Sequence, residues 1–573
     1  MQLPLPRWPL SRRQGTRCYR RGRMRLKERL SDPATWLHLG FLVAVIVGCN
    51  WALPGPDTWA NDSISPRSCG LGAIVETYRT GHRHHYPPLH MAVLTVVSLP
   101  WMAIAASRVG IDIDKLGPEL LKPFYMTGIE AGARVVAAAM AIGIVYQTMR
   151  LWERLAGRRA GVAAGVVVTA NAPLVYYAHT GNLDVPFLFW VSWALVEIDR
   201  VASGEPREEI ALLLAIAAVL TKDPAACALI VALPIYLLVI PKVVRGTPVL
   251  RRGVVRGTAL GVVAYAVVSG AAVNPTGFAL RLKYEIFVAT ETAIQYPLGW
   301  RGTAAIARDA FLSTDRFTSW PVAATAAVGL IMVIAQRRGL DRARALLPFV
   351  AAASFSLIFN LLARQTLERY LLPQSLLYFP YAAIPFDWAW TRWARARVAL
   401  AAAMAVALSP AWLGVASLDA TLLADPRYEA EHFLAALPRG TRVEVYGGPH
   451  FVPRIPPNVA AVRPGVEPLE DRQPIYRVAD MVDPAMDPRP RAPDVILLAT
   501  ELSTVPEEYT GPPEYGLTGY RDAISNRFFQ RLYDGSFGFV RSATFTCSLP
   551  WPLACRSIHS STAGQVWVYT PAR

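Results

Sequence analysis

Apolar stretches of near-bilayer length recur along the chain, separated by short polar blocks rich in Lys and Arg. About 20 apolar residues span the ~30 Å hydrocarbon core as a helix, so this pattern predicts an all-α polytopic membrane protein. The basic blocks set its orientation. Ten Lys and Arg residues between Arg7 and Arg29 precede the first apolar run, which makes residues 1–34 a basic cytoplasmic tail. The first span then runs outward over about 36–53 and delivers a first outer loop, residues 54–123.

The next apolar segments pose a parity problem. If 89–107, 124–149 and 161–178 all crossed, the basic loop of Arg150, Arg154, Arg158 and Arg159 would face outward, against the positive-inside rule. Keeping 89–107 on the outer side, as a juxtamembrane or re-entrant helix interrupted at Pro100, restores the parity. Segment 124–149 is then the second span. Further spans follow at 161–179, 185–198, just before Thr221, 225–241, 257–273, 319–336, 346–363, 371–388 and 398–416, about eleven in all. This transmembrane domain covers 35–417, and the basic blocks after Lys242, Arg337 and Arg392 all fall inside.

After Leu418 no run is long enough to span. Alternating segments at 441–447, 493–499 and 565–570 predict short strands and 428–437 predicts a helix, so residues 418–573 form a small C-terminal α/β domain on the outer side. Cys547 and Cys555 bracket a Pro-rich turn there and are a candidate disulfide outside the cytoplasm, although spacing alone cannot verify the geometry. The remaining cysteines are scattered and read as single thiols.

Composition agrees with a membrane class. Only 17% of the 573 residues are charged and the mean hydropathy is positive, at +0.29. The formal net charge of +16 sits in the inter-span blocks, so it reports orientation and not nucleic-acid binding. The Arg12-Arg13 pair has no apolar run close behind it, so the start of the chain does not read as a signal peptide. These features place the chain in the plasma membrane, the inner membrane of a bacterium, as a multi-pass protein with its N-terminus cytoplasmic and its C-terminal domain periplasmic or extracellular.

The candidate chemistry lies on the outer side. Residues 54–90 carry Asp57 and Asp62, then His82, His84, His85 and His90 around a Tyr86-Pro87-Pro88-Leu89 turn. The histidines have three readings: a transition-metal site, solvated interfacial side chains, or contacts to an acceptor. His179 and Asp184 follow at a later outer turn. Asp184 begins a run that enters the bilayer at once, where an unpaired carboxylate costs about 2.5–3.5 kcal/mol. Lys222 ends another apolar run, with adjacent Asp223 as its structural ion-pair alternative.

Asp62, Tyr86-Pro87-Pro88-Leu89, Gly181-Asn182-Leu183-Asp184-Val185-Pro186, Thr221-Lys222 and Arg369-Tyr370-Leu371-Leu372-Pro373 occur in an order that resembles the polyprenyl-phosphate-sugar-dependent glycosyltransferases of the GT-C fold. Within that group the likeness is greatest to protein mannosyltransferases and lipid A aminoarabinose transferases, over about residues 35–415. The resemblance implies an enzyme, a hexosyl or pentosyl transferase, that takes a sugar from a polyprenyl-phosphate donor to a lipid, glycan or protein acceptor with inversion. It implies Asp62 as base on the acceptor hydroxyl, Asp184 as the second outer-loop acid, and Lys222, Arg369 and Tyr370 on the donor phosphate. Tyr86, His85, His90 and His179 are then candidates for the acceptor pocket. Many relatives follow the first Asp with a second acid, whereas this chain has Ser63. That difference puts a paired-carboxylate metal site in doubt. The resemblance makes no cofactor certain and leaves a divalent cation open, which would fall to Asp62 and Asp184.

The residue types suit this chemistry on their own. A carboxylate in a partly dry pocket is poised as a base, and cations belong where a leaving phosphate gains charge. The rivals are a transporter, which should show inverted repeats, and a non-catalytic subunit of an envelope polysaccharide assembly or export system.

Overall fold

The computed structural model describes residues 32–53, 70–84, 86–120, 122–285, 296–446, 452–462, 466–467, 477–478, 492–499, 531–558, 562 and 564–572. Helices dominate, and a five-stranded sheet and a two-stranded one lie near the C-terminus. The elements that build the site are α1 (Pro33–Ile46), α2 (Gly70–Tyr78), α3 (Leu89–Val109), α4 (Pro123–Ala156), α5 (Asp184–Ser203), α6 (Glu208–Val219), α7 (Arg252–Val268), α8 (Pro275–Lys283) and α9 (Glu368–Tyr378). They are followed by α10 (Arg397–Leu423) and α11 (Pro426–Ala436).

The chain is a membrane protein. Among the described residues four helices are long and apolar enough to cross a bilayer: Leu89–Val109, Pro123–Ala156, Ala225–Val244 and Ala394–Ala436. Three bent pairs would bring the number to seven. The sequence reading of about eleven spans counts shorter helices as well. α1, for example, is strongly apolar but only 14 residues long, below the ~20 that a straight crossing needs. One expectation is corrected. α3 runs unbroken through Pro100, where the apolar pattern suggested an interruption. Proline removes a single backbone donor, and a helix in apolar surroundings keeps its remaining bonds because no water competes for them.

The basic loops assigned to the inner side do gather at one end of the bundle. Arg154 donates to Asp199 at 2.6 Å and Arg344 donates to the same fully buried carboxylate at 2.7 Å. Arg159 reaches Asp387 at 2.9 Å, and Arg158 lies 3.0 Å from Asp32. Five chain segments far apart in sequence are thereby joined by charge. The opposite end carries Tyr86, Asp184 and Lys222.

The C-terminal sheet contains β1 (Arg442–Tyr446), β2 (Ala460–Val462), β3 (Val495–Ala499), β4 (Phe539–Thr546) and β5 (Gln565–Pro571). Their order is β2-β1-β3-β5-β4, with parallel pairing around β1 and antiparallel pairing of β5 with β3 and β4. α11 packs on it through Ala430 and Leu434, beside Val443, Leu497 and Val568. All three expected strands and the expected helix are present. Cys547 and Cys555 are joined in a disulfide, while Cys49 and Cys227 are free.

A polar knot ties this domain to the C-terminal end of α1. Trp51 Nε1 donates to Asp425 at 2.6 Å, Arg427 donates to the same carboxylate, and the Tyr428 hydroxyl accepts from the Ala52 N–H at 3.2 Å. From the other side, Arg134 on α4 donates to the carbonyls of Cys49 and Trp51. The segment that leads to Asp62 therefore leaves from a fixed point.

Candidate functional site

Asp184 opens α5 after a tight turn in which Asn182 Oδ1 accepts the Asp184 N–H at 2.9 Å. A carboxylate in the first helical turn is favoured by the exposed N–H groups there. It is nonetheless 1% exposed, so it needs a partner. Lys222, just past the end of α6, supplies one: its Nζ donates to Asp184 Oδ1 at 2.5 Å and lies 5.9 Å from the Phe187 ring centre. The adjacent Asp223 is not that partner. It sits 3.5 Å from Arg281 instead. Among the described residues Asp184 Oδ2 has no hydrogen-bond partner, which leaves one acceptor beside the ammonium for an incoming group.

The Tyr-Pro-Pro turn is docked against this pair. The Leu89 N–H donates to the Leu220 carbonyl at 3.2 Å, two residues before Lys222. Burial pushes the Tyr86 phenol well above its ordinary value. Arg369 opposes that shift, and Asp184, Glu285 and Tyr370 add to it. These groups share one electrostatic neighbourhood. Arg369 stacks over the Tyr370 ring at 4.9 Å, and the Tyr370 carbonyl accepts from Asn360 Nδ2 at 3.0 Å, which fixes the start of α9.

The fold thus brings together Tyr86, Asp184, Lys222, Arg369 and Tyr370, five residues from four separate stretches of sequence. His179 stands apart from them in role. Its two ring nitrogens lie 2.7 Å from the Val175 carbonyl and 2.5 Å from the Val47 carbonyl, so it is a strut between α1 and the turn before α5. No ring nitrogen remains for an acceptor. His90 is 1% exposed on α3, sealed from any large substrate. Asp57, Asp62, Ser63 and His85 lie outside the described residues. Among the described residues no group of three His, Cys, Asp or Glu side chains is placed to hold a metal ion.

No protein-family model and no curated protein matches the chain. Among solved structures the chain is similar to ArnT from Cupriavidus metallidurans bound to undecaprenyl phosphate, at 15% identity and a TM-score of 0.45, covering 93% of this chain and 97% of that one. It is also similar to the oligosaccharyltransferase of Archaeoglobus fulgidus, at 11% identity and a TM-score of 0.41, covering 72% and 60%. A third is the arabinofuranosyltransferase AftD from Mycobacteria, at 15% identity and a TM-score of 0.36, covering 93% and 41%. The chain spans less than two thirds of the length of the latter two. Each of these TM-scores is below 0.5, so what the chain does has to come from its own residues.

Sequence reasoning passed over the residue that holds the histidine-rich segment in place. Asn274 caps α8, its Oδ1 accepting the Gly277 and Gly81 N–H groups at 2.9 Å each. Its Nδ2 donates to the carbonyls of His82 at 2.9 Å and Thr77 at 3.2 Å. One fully buried amide thus joins α2, the 79–84 loop and α8. The Asn-Pro pair opening an apolar helix was the available signal. Asn274→Ala strands two donors and two acceptors, and is expected to cost about 2–4 kcal/mol. Thermal unfolding in detergent measures this, and an unchanged midpoint would show that water replaces the amide.

Proposed function

We propose that the chain is an integral membrane glycosyltransferase, which moves a sugar from a polyprenyl-phosphate donor to an acceptor on the outer face of the plasma membrane. The observation that carries this reading is the Lys222 ammonium, held by Asp184 in a buried pair and sharing its surroundings with Arg369, Tyr86 and Tyr370. Cations fixed in a dry, preorganised setting stabilise charge that develops on a departing phosphate, and this is often the largest catalytic term. A soluble anion would not need such a site at a bilayer surface, whereas a lipid phosphate arrives there by lateral diffusion.

In the proposed step the acceptor oxygen attacks the anomeric carbon and the bond from that carbon to the phosphate oxygen breaks. The electron pair leaves on the phosphate, facing Lys222 and Arg369, and the acceptor proton passes to Asp62. A single displacement of this kind inverts the anomeric configuration. Asp184 holds Lys222 in place, and its second oxygen orients the acceptor. Asp184 is already neutralised by Lys222 and lacks further described ligands, a poor fit for a divalent cation, so no step is routed through one. The C-terminal domain, on the same side, would carry acceptor specificity.

Transfer by purified protein in nanodiscs tests the reading. Radiolabelled polyprenyl-phosphate mannose, glucose, arabinose and aminoarabinose are each offered with an envelope extract. Label should move to the extract from one donor. Folded protein that neither binds nor consumes any of the four would sink the proposal.

A further inference from the structure

Beside the Lys222–Asp184 pair lies a second polar cluster that the mechanism above does not use. Its centre is Arg281 on α8, which is fully buried. Its Nη2 is ion-paired with Asp223 at 3.5 Å and the Tyr265 hydroxyl interacts with the guanidinium, but among the described residues no acceptor meets Nε, Nη1 or Nη2 in close, well-aligned geometry. Asp223 Oδ2 is likewise buried and without a hydrogen bond. His84 is 3% exposed and faces Arg281, and burial together with that cation lowers its pKa to about 4, so the ring is neutral at physiological pH. Glu285 completes the set. Burial pushes its carboxyl upward, Asp223 reinforces that, and Arg281, Lys222 and Arg83 pull it back.

Buried polar atoms are nearly always satisfied, and a buried guanidinium whose carboxylate partner stands 3.5 Å away is incompletely satisfied. Such a cluster has hydrogen-bonding capacity left over for a bound group. The mixture of charges selects its chemistry. An anion would meet Asp223 and Glu285, and an amine would meet Arg281 and Lys222. A neutral polyol satisfies both, because every hydroxyl is donor and acceptor at once. Phe278, whose ring centre lies 5.2 Å from the Arg281 guanidinium carbon, and Tyr265 add flat apolar faces, the usual lining of a ligand site.

Position narrows the choice further. Asp223 directly follows Lys222, the residue read here as contacting the donor phosphate, and the sugar of such a donor is bonded to that phosphate. We infer that Arg281, Asp223 and His84 form the subsite for the hydroxyl groups of a neutral sugar ring on the lipid donor. This inference rests on the transferase reading and assigns the sugar end of the same ligand.

The test compares two probes on the full chain in nanodiscs, bare polyprenyl phosphate and polyprenyl phosphate bearing mannose or arabinose. Wild type should bind one sugar-bearing lipid at least about tenfold more tightly than the bare one, since hydrogen bonds to charged groups are worth that much or more. Asp223→Asn should remove this advantage and leave the affinity for bare polyprenyl phosphate within about twofold, a value that also reports an intact fold. His84→Gln is the second variant, and decides the matter if Asp223→Asn loses both lipids. Wild type that binds neither lipid overturns the transferase reading and the subsite with it. Wild type that binds bare and sugar-bearing lipids equally, or variants that keep the sugar's advantage, overturn the subsite alone and leave the cluster to buried water.

Discussion

Lys222→Met is expected to lower sugar transfer by about 10²–10³-fold and to destabilise the protein by about 3–5 kcal/mol. The two losses have different origins. Stability falls because the Asp184 carboxylate, 1% exposed, loses the ammonium 2.5 Å away, and breaking a buried pair by removing one partner is strongly destabilising. Activity falls because the leaving phosphate loses a preorganised cation. The double variant Lys222→Met/Asp184→Asn separates them. With both charges gone the site is neutral, so most of the lost stability should return, since replacing a whole buried pair is often close to neutral. Transfer should stay at the level of the single variant. Unfolding midpoints in nanodiscs and labelled-donor transfer measure the two quantities side by side. Recovery of both in the double variant would make the pair a structural element and move the chemistry elsewhere.

The parts of this structure that were legible from sequence are those governed by repeated physical signals. Apolar length and the placement of Arg and Lys predicted which loops share an end, and Asp199 receiving both Arg154 and Arg344 is the physical form of that prediction. Alternation predicted the strands at Arg442–Tyr446, Val495–Ala499 and Gln565–Pro571. Single residues behave differently. The partner of Lys222 was sought next door at Asp223, because adjacency is visible in sequence and a 38-residue separation is not. Arg281 and Asn274 lie in and beside an outer loop that reads as polar surface, and only the packing of α8 against the 79–84 loop buries them. Pro100 misled for a related reason. Its cost depends on whether water competes for the backbone groups it frees, which the residue itself does not reveal.

Asp62→Asn should reduce transfer by about 10²–10⁴-fold and leave folding and donor binding near wild type. The substitution is close to isosteric and removes only the capacity to take a proton. The acceptor hydroxyl would still be positioned, and Lys222 and Arg369 would still face the phosphate, so the affinity for the lipid donor has no reason to change. The chain leaves α1 through a point fixed by Arg134 on the carbonyls of Cys49 and Trp51 and by Asp425 on the Trp51 indole. Twenty-odd residues later it is caught again by Asn274 at Gly81 and His82, and then by Leu220 at Leu89. Both anchors lie at the end of the bundle that carries Lys222 and Tyr86, and Asp62 falls between them in sequence. A carboxylate that serves as base acts in its ionised form, so the wild-type rate should rise with pH as the group deprotonates, and this limb should vanish in Asp62→Asn. A rate profile with the same acidic limb in both proteins would assign the base to another residue, with Glu285 the first to examine because its carboxyl is pushed upward by burial in the same outer region.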